Sequence, residues 1–152
     1  MIEELDTLDA IVAPIGGGGL MSGTCISARD LLPNVKLFGA EPMGADDAYH
    51  SLKEGRIVPQ NNPDTICDGL LTSLGELTWD ILKDHLEEIY RVTDDEVIDS
   101  MKIIVEEMGM MIEPSCATAV AAVLSSEFKE LEEIERVGVI LTGGNIEKSL
   151  YF

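Results

Sequence analysis

Four consecutive glycines, Gly16-Gly17-Gly18-Gly19, stand between an apolar run and a segment of helical pattern, and they constrain the fold more than any other feature. The run before them, residues 8–15 (LDAIVAPI), predicts a buried strand that stops at a turn. The segment after them, residues 20–32 (LMSGTCISARDLL), suits a helix closed by Pro33 and Asn34. Residues 35–41 (VKLFGAE) then form a second strand. Strand, glycine turn, helix, strand is a βαβ unit, which favours a parallel sheet.

The rest of the chain extends that pattern. Residues 42–75 are broken by Pro42, Pro59, Pro63, Gly55, Gly69 and Gly75, leaving short helices over 45–54 and, beyond them, 77–86. Residues 88–92 (EIYRV) read as a third strand. Thr93 and Glu96 form a capping box for a helix whose apolar positions Val97, Met101, Ile104, Val105 and Met108 recur at three and four, ending near Gly109. Another helix begins at Ser115 and carries ATAVAAVLSSEF, its small residues allowing close packing. Residues 136–142 (RVGVILT) form a last strand running into Gly143-Gly144-Asn145. The predicted fold class is α/β: parallel-sheet layers with helices on both faces, in one domain over residues 1–152, without repeats or an internal linker.

Composition excludes several functions. The net charge of −19 repels phosphates, which argues against nucleic-acid binding and against docking on anionic membranes. No apolar run approaches the roughly 18–20 residues of a membrane helix. The start, MIEELDTLD, is acidic and lacks the basic stretch of a targeting leader, so a soluble cytoplasmic protein is expected. Cys25, Cys67 and Cys116 share no metal-ligand spacing with each other or with His50 and His85. A zinc site is not expected, and the odd count favours free thiols in a reducing compartment.

Three segments carry chemistry. The first is the glycine run, where the backbone can approach a ligand without side-chain clash. The following helix offers unpaired N–H groups to a phosphate. A tight turn without ligand is the alternative. A dinucleotide fingerprint fails on spacing: counted from Gly16, Gly17 or Gly18, its third glycine falls on Met21, Ser22 or Gly23, and the last register puts Leu20 at the second. No Gly-Lys-Ser/Thr follows either, so a single phosphate fits better than a pyrophosphate. The second segment is Glu41-Pro42-Met43-Gly44-Ala45-Asp46-Asp47, where carboxylates flank a Pro/Gly turn and could converge with a backbone carbonyl on a hard cation. A solvated turn leading into a helix that favours Asp at its start is the alternative. The third is Thr142-Gly143-Gly144-Asn145, a hydroxyl at the carboxyl end of a strand, where α/β folds bind ligands.

VAPIGGGGLMSG, GAEPMGADD and ILTGGN, in that order, with DTICDGL, TDDE and IEPSCATAVAAV before the last, resemble the fold-type-II pyridoxal-phosphate enzymes. The resemblance is to the branch of serine racemases and serine/threonine dehydratases (threonine ammonia-lyases), and it runs from about residue 8 to 146. It implies a tryptophan synthase beta-like fold, here incomplete: the C-terminal part of the large cofactor-binding domain. It implies that Gly16, Gly17, Gly18 and Gly19, with Leu20 just beyond, cradle the phosphate of pyridoxal 5'-phosphate. Thr142 matches the residue whose hydroxyl meets the pyridine nitrogen, and Glu113 matches an acid near the cofactor ring. Glu41, Ala45 (through its carbonyl) and Asp47 match a divalent-cation site for magnesium, manganese or calcium.

The family's Schiff-base lysine lies well before the glycine loop, and nothing in the residues preceding Gly16 matches it. The substrate-carboxylate loop and the small domain also belong to the unmatched part. No catalytic residue is therefore assigned. The expected role is the cofactor-binding half of an enzyme that eliminates from serine or threonine to a 2-oxo acid and ammonia, or inverts Cα, and that is inactive by itself. The alternative is a non-catalytic phosphate- and metal-binding or regulatory module. The expected partners are an amino-acid substrate in the complete enzyme, and a second copy or a complementing N-terminal chain.

Overall fold

A computed structural model describes residues 7–147. It contains a parallel sheet of β1 (Ala10–Pro14), β2 (Lys36–Pro42), β3 (Glu88–Val92) and β4 (Val137–Val139), in the order β3-β2-β1-β4. The connecting helices are α1 (Gly19–Leu31), α2 (Asp47–Glu54), α3 (Glu76–His85), α4 (Asp94–Met108), α5 (Pro114–Leu124) and α6 (Ser126–Lys129).

Strand alternation divides the core in two. Ala10, Val12, Phe38, Ala40, Tyr90 and Val92 face one way, against α4, α5 and α6. Ile11, Ala13, Leu37 and Ile89 face the other, against α1, α2 and α3. Both faces are therefore covered, which is why β1 and β2 read as unbroken apolar runs rather than as alternating ones. On the first face Phe38, Tyr90 and Phe128 meet edge to face at 5.2–5.8 Å, each pair adding about 0.5–1.5 kcal/mol beyond burial. α5 is buried along most of its length because its alanines let it lie close to the sheet and to α4.

The capping box of α4 forms as expected. Thr93 Oγ1 accepts from Glu96 N–H at 3.2 Å, Glu96 Oε2 accepts from Thr93 N–H at 2.7 Å, and Gly109 closes the helix in the left-handed region.

Two expectations need correction. The helix expected to run through ATAVAAVLSSEF breaks at Ser125, whose backbone is extended (ψ 155) and whose hydroxyl accepts from Phe128 N–H, starting α6 as a separate turn. The last strand, expected over 136–142, is confined to Val137–Val139. Ile140 N–H still donates to Val12 C=O at 3.1 Å, but the next rung would be donated by residue 14. That residue is Pro14, which has no N–H, so the ladder stops. No strand pairs with the outer edge of β3 or of β4 among the described residues. Among those residues, too, no helix is long and apolar enough to cross a membrane.

Candidate phosphate cleft and cation turn

At the carboxyl ends of the strands a cleft of about 280 Å³ is lined by Pro14, Gly16–Gly19, Leu20, Gly69, Leu70, Glu113, Ser115 and Thr142. Every residue singled out for cofactor binding lies on it. The loop turns at Gly18, whose φ of 84° is left-handed and whose missing Cβ would lie 2.7 Å from Thr78 Oγ1. A side chain there would be both strained and obstructed. Gly17 C=O is held by Thr78 Oγ1 at 2.7 Å and by Gly75 N–H at 3.2 Å. α1 therefore starts on a fixed frame, with no side-chain cap and no acid in its first turn, and its first N–H groups are free for an anion. A Cβ on Gly19 would meet nothing within 4 Å, so the loop is open toward the cleft. A phosphate fits this cradle.

The opposite wall comes from two segments far apart in sequence. A 3-10 turn, Asp68–Leu70, backs onto Gly16, and Gly69 N–H donates to Ser115 Oγ at 2.9 Å. Glu113, just before α5, donates its N–H to Gly143 C=O at 3.1 Å, and its carboxylate accepts from Asn145 N–H at 3.2 Å. Thr142 is exposed on the cleft, and its N–H donates to Cys116 Sγ at 3.2 Å. Ser115 and Gly69 were not singled out by sequence reasoning. They lie 46 residues apart, and no local signal joins them.

Glu41, Ala45 and Asp47 form a separate turn at the end of β2, all three buried. Gly44 is required there, since a Cβ would fall 1.8 Å from Asp64 C=O. Glu41 accepts from Tyr49 N–H at 2.7 Å and Ala48 N–H at 3.2 Å. Asp47 accepts from Leu74 N–H at 2.7 Å and Gln60 Nε2 at 3.1 Å. Burial pushes the Glu41 carboxyl well above the usual carboxylate range, against the two amide bonds and reinforced by the nearby Asp47 and Asp46 charges. Burial likewise raises Asp47, opposed first by Leu74 N–H.

The basic side chains nearby go elsewhere. Arg91 and His50 reach Asp46 at 3.0 and 3.3 Å, and Arg91 also lies 4.1 Å from the centre of the Tyr49 ring. Neither Glu41 nor Asp47 has an ion pair among the described residues. Two buried carboxylates that are hydrogen-bonded but have no ion pair are a donor set that suits a hard cation. No cluster of three His, Cys, Asp or Glu side chains that could hold a metal is found among the described residues, so the third ligand there would have to be a carbonyl such as that of Ala45.

Fold and cleft together define the class: an α/β protein whose cleft opens at the carboxyl ends of a parallel sheet. The chain belongs to the pyridoxal-phosphate dependent enzyme family, whose profile matches residues 1–143. It is 50% identical over 151 residues to a serine racemase of Dictyostelium discoideum, covering 98% of this chain and 47% of that protein. It is 46% identical over 147 residues to a beta-hydroxyaspartate dehydratase of Paracoccus denitrificans, covering 97% of this chain and 46% of that protein. The structure of maize serine racemase superposes with a TM-score of 0.94 at 38% identity, covering 98% of this chain and 48% of that one. The chain thus spans about half the length of the curated relatives it matches.

Proposed function

We propose that this chain forms the phosphate- and ring-binding half of a pyridoxal-phosphate enzyme acting on serine- or threonine-type amino acids. The reaction is β-elimination to a 2-oxo acid and ammonia, or inversion at Cα. When bound, the cofactor supplies the electron sink that labilises bonds at the amino-acid Cα. The chain's own contribution is placement. Gly16–Gly19 and the first turn of α1 hold the phosphate, and Leu20 borders it. Thr142 would offer its hydroxyl, a neutral partner, to the ring nitrogen. Glu113, on the cleft wall, would stand near the ring. Glu41, Asp47 and the Ala45 carbonyl hold magnesium, manganese or calcium.

The observation that carries this reading is the composition of the cleft, which has the loop, the hydroxyl and the acid but no lysine among its lining residues. Lys36, Lys53, Lys83 and Lys102 are each engaged in surface ion pairs, with Glu133, Glu88, Asp80 and Asp99. Lys129 is exposed at the end of α6, away from the cleft lining, and Lys148 lies outside the described residues. The lysine and the second wall of the site come from polypeptide beyond the described fold, in the same or a separate molecule. The open outer edge of β4, with half-buried Val137 and Val139, is where such a segment or a second copy would seat.

The test is to titrate the chain with pyridoxal 5'-phosphate, reduce with borohydride and map the peptides. The expected result is saturable cofactor binding without a lysine-linked adduct. Adding the segment equivalent to the other half of the relatives should then restore serine-dependent release of ammonia. A specific adduct on one lysine of this chain would overturn the division of labour, and absence of cofactor binding would overturn the reading itself.

A further inference from the structure

The Thr142 amide sits where a continued strand would send it to the Pro14 carbonyl. Because Pro14 carries no N–H, the rung before that bond is missing, and Ile140 is the last residue to donate into β1. The Thr142 N–H turns to Cys116 Sγ instead, at 3.2 Å. Cys116 has no exposed surface and is itself fixed by its N–H on Glu113 C=O at 3.0 Å. The sulfur therefore sits on a rigid helix turn and holds the backbone of Thr142, which lines the cleft. Its neighbours act on the same loops, since Glu113 bonds Gly143 and Asn145, and Ser115 bonds Gly69.

We propose that Cys116 is a positioning residue for Thr142: its sulfur, in place of the β1 carbonyl, sets where the Thr142 hydroxyl stands. The proposal rests on the cofactor reading above. A thiol sulfur is a weak, large acceptor, so it holds Thr142 farther from α5 than an oxygen would. Cys116→Ser keeps an acceptor at shorter reach, and Cys116→Ala removes it.

The test is a double-mutant cycle on the full chain, with dissociation constants for pyridoxal 5'-phosphate and for inorganic phosphate measured by fluorescence and calorimetry. Cys116→Ala should weaken cofactor binding about fivefold, the loss of one ordinary hydrogen bond's worth of placement. It should leave inorganic phosphate unchanged, because the glycine loop is held by Thr78 and Gly75 rather than by α5. Cys116→Ser should recover most of the loss. In a Thr142→Val background, Cys116→Ala should have no further effect, since there is no hydroxyl left to place. Multiplicative effects of the two changes, or an equal loss of phosphate affinity, would overturn the proposal and make Cys116 a packing residue. If the parent binds phosphate but not the cofactor, the cofactor reading fails, and this inference fails with it.

Discussion

The substitution Glu41→Gln separates a cation site from a turn kept for its shape, because the two predict opposite dependence on added metal. Glu41 has no exposed surface and accepts from Tyr49 and Ala48 N–H groups at 2.7 and 3.2 Å. Glutamine can keep the shorter bond but turns its NH₂ toward the Ala48 N–H, so without cation the variant should be less stable than the parent by about 1–3 kcal/mol. With cation at a hundredfold excess over its dissociation constant, the parent should gain about 2.7 kcal/mol. For a chain of this size that is a rise in melting midpoint of roughly 5–11 °C. The variant should gain almost nothing.

The pH dependence of that gain carries a definite sign. Burial raises both the Glu41 and Asp47 carboxyls in the folded chain. A raised carboxyl contributes stability that is fully present below the unfolded value of about 4 and is lost as pH rises through the folded value. The metal-free parent should thus lose stability over that window relative to Glu41→Gln, and the cation-induced gain should be larger near about pH 7.5 than near about pH 5. Differential scanning calorimetry with and without magnesium, manganese or calcium reads all of this. A parent midpoint indifferent to all three cations, or a variant that gains as much as the parent, would refute the reasoning.

Other perturbations test the frame of the site. Gly18→Ala combines a left-handed backbone with a Cβ 2.7 Å from Thr78 Oγ1 and 2.9 Å from its Cβ. It should cost at least about 2 kcal/mol in urea titrations, and it should abolish protection by inorganic phosphate. Asp9 accepts from the Glu135 and Arg136 N–H groups, and those bonds hold its carboxyl below the usual range. Its stabilisation is present above the unfolded carboxylate value and lost as pH falls through the folded one, so Asp9→Asn should be less stable than the parent at neutral pH and converge with it in acid. All three thiols are buried, and burial pushes the Cys25 thiol up to about 11. A chromogenic disulfide reagent near neutral pH should therefore titrate no cysteine in the native chain and all three after denaturation; fast reaction of native Cys25 would contradict the packing of α1.

What could be read from the sequence was what local chemistry decides. β1, β2 and β3 show as short apolar runs cut by glycine, proline or a cap, and α4 is bracketed by Thr93, Glu96 and Gly109. The glycine loop and the turn from Glu41 to Asp47 were legible because each needs residues, such as Gly18 and Gly44, that ordinary chain does not use. The break at Ser125 was hidden, since serine is tolerated inside a helix and only its hydroxyl bond to Phe128 N–H makes it a new start. The early end of β4 was hidden for a different reason: it is caused by Pro14, on the neighbouring strand and at the other end of the chain. The bonds from Ser115 to Gly69 and from Cys116 to Thr142 likewise exist only once α5 is docked.

The cleft and the cation turn look independent in sequence but share one scaffold. Asp47 Oδ2 accepts from Leu74 N–H, and the next residue, Gly75, donates its N–H to Gly17 C=O. Thr78, one turn on, bonds that same carbonyl and fills the space a Gly18 side chain would need. Residues 74–78 are thus held at one end by a carboxylate of the cation turn and at the other by the glycine loop. Asp47 Oδ1 meanwhile takes Gln60 Nε2, so both oxygens are committed to the long segment that returns to the cleft. An asparagine at this position could accept only one of those bonds and would turn an NH₂ group toward the other donor. Displacement of Leu74 would then act on Gly75, whose N–H is bonded to Gly17 C=O. The position of the glycine loop is set in part by a carboxylate that does not line the cleft.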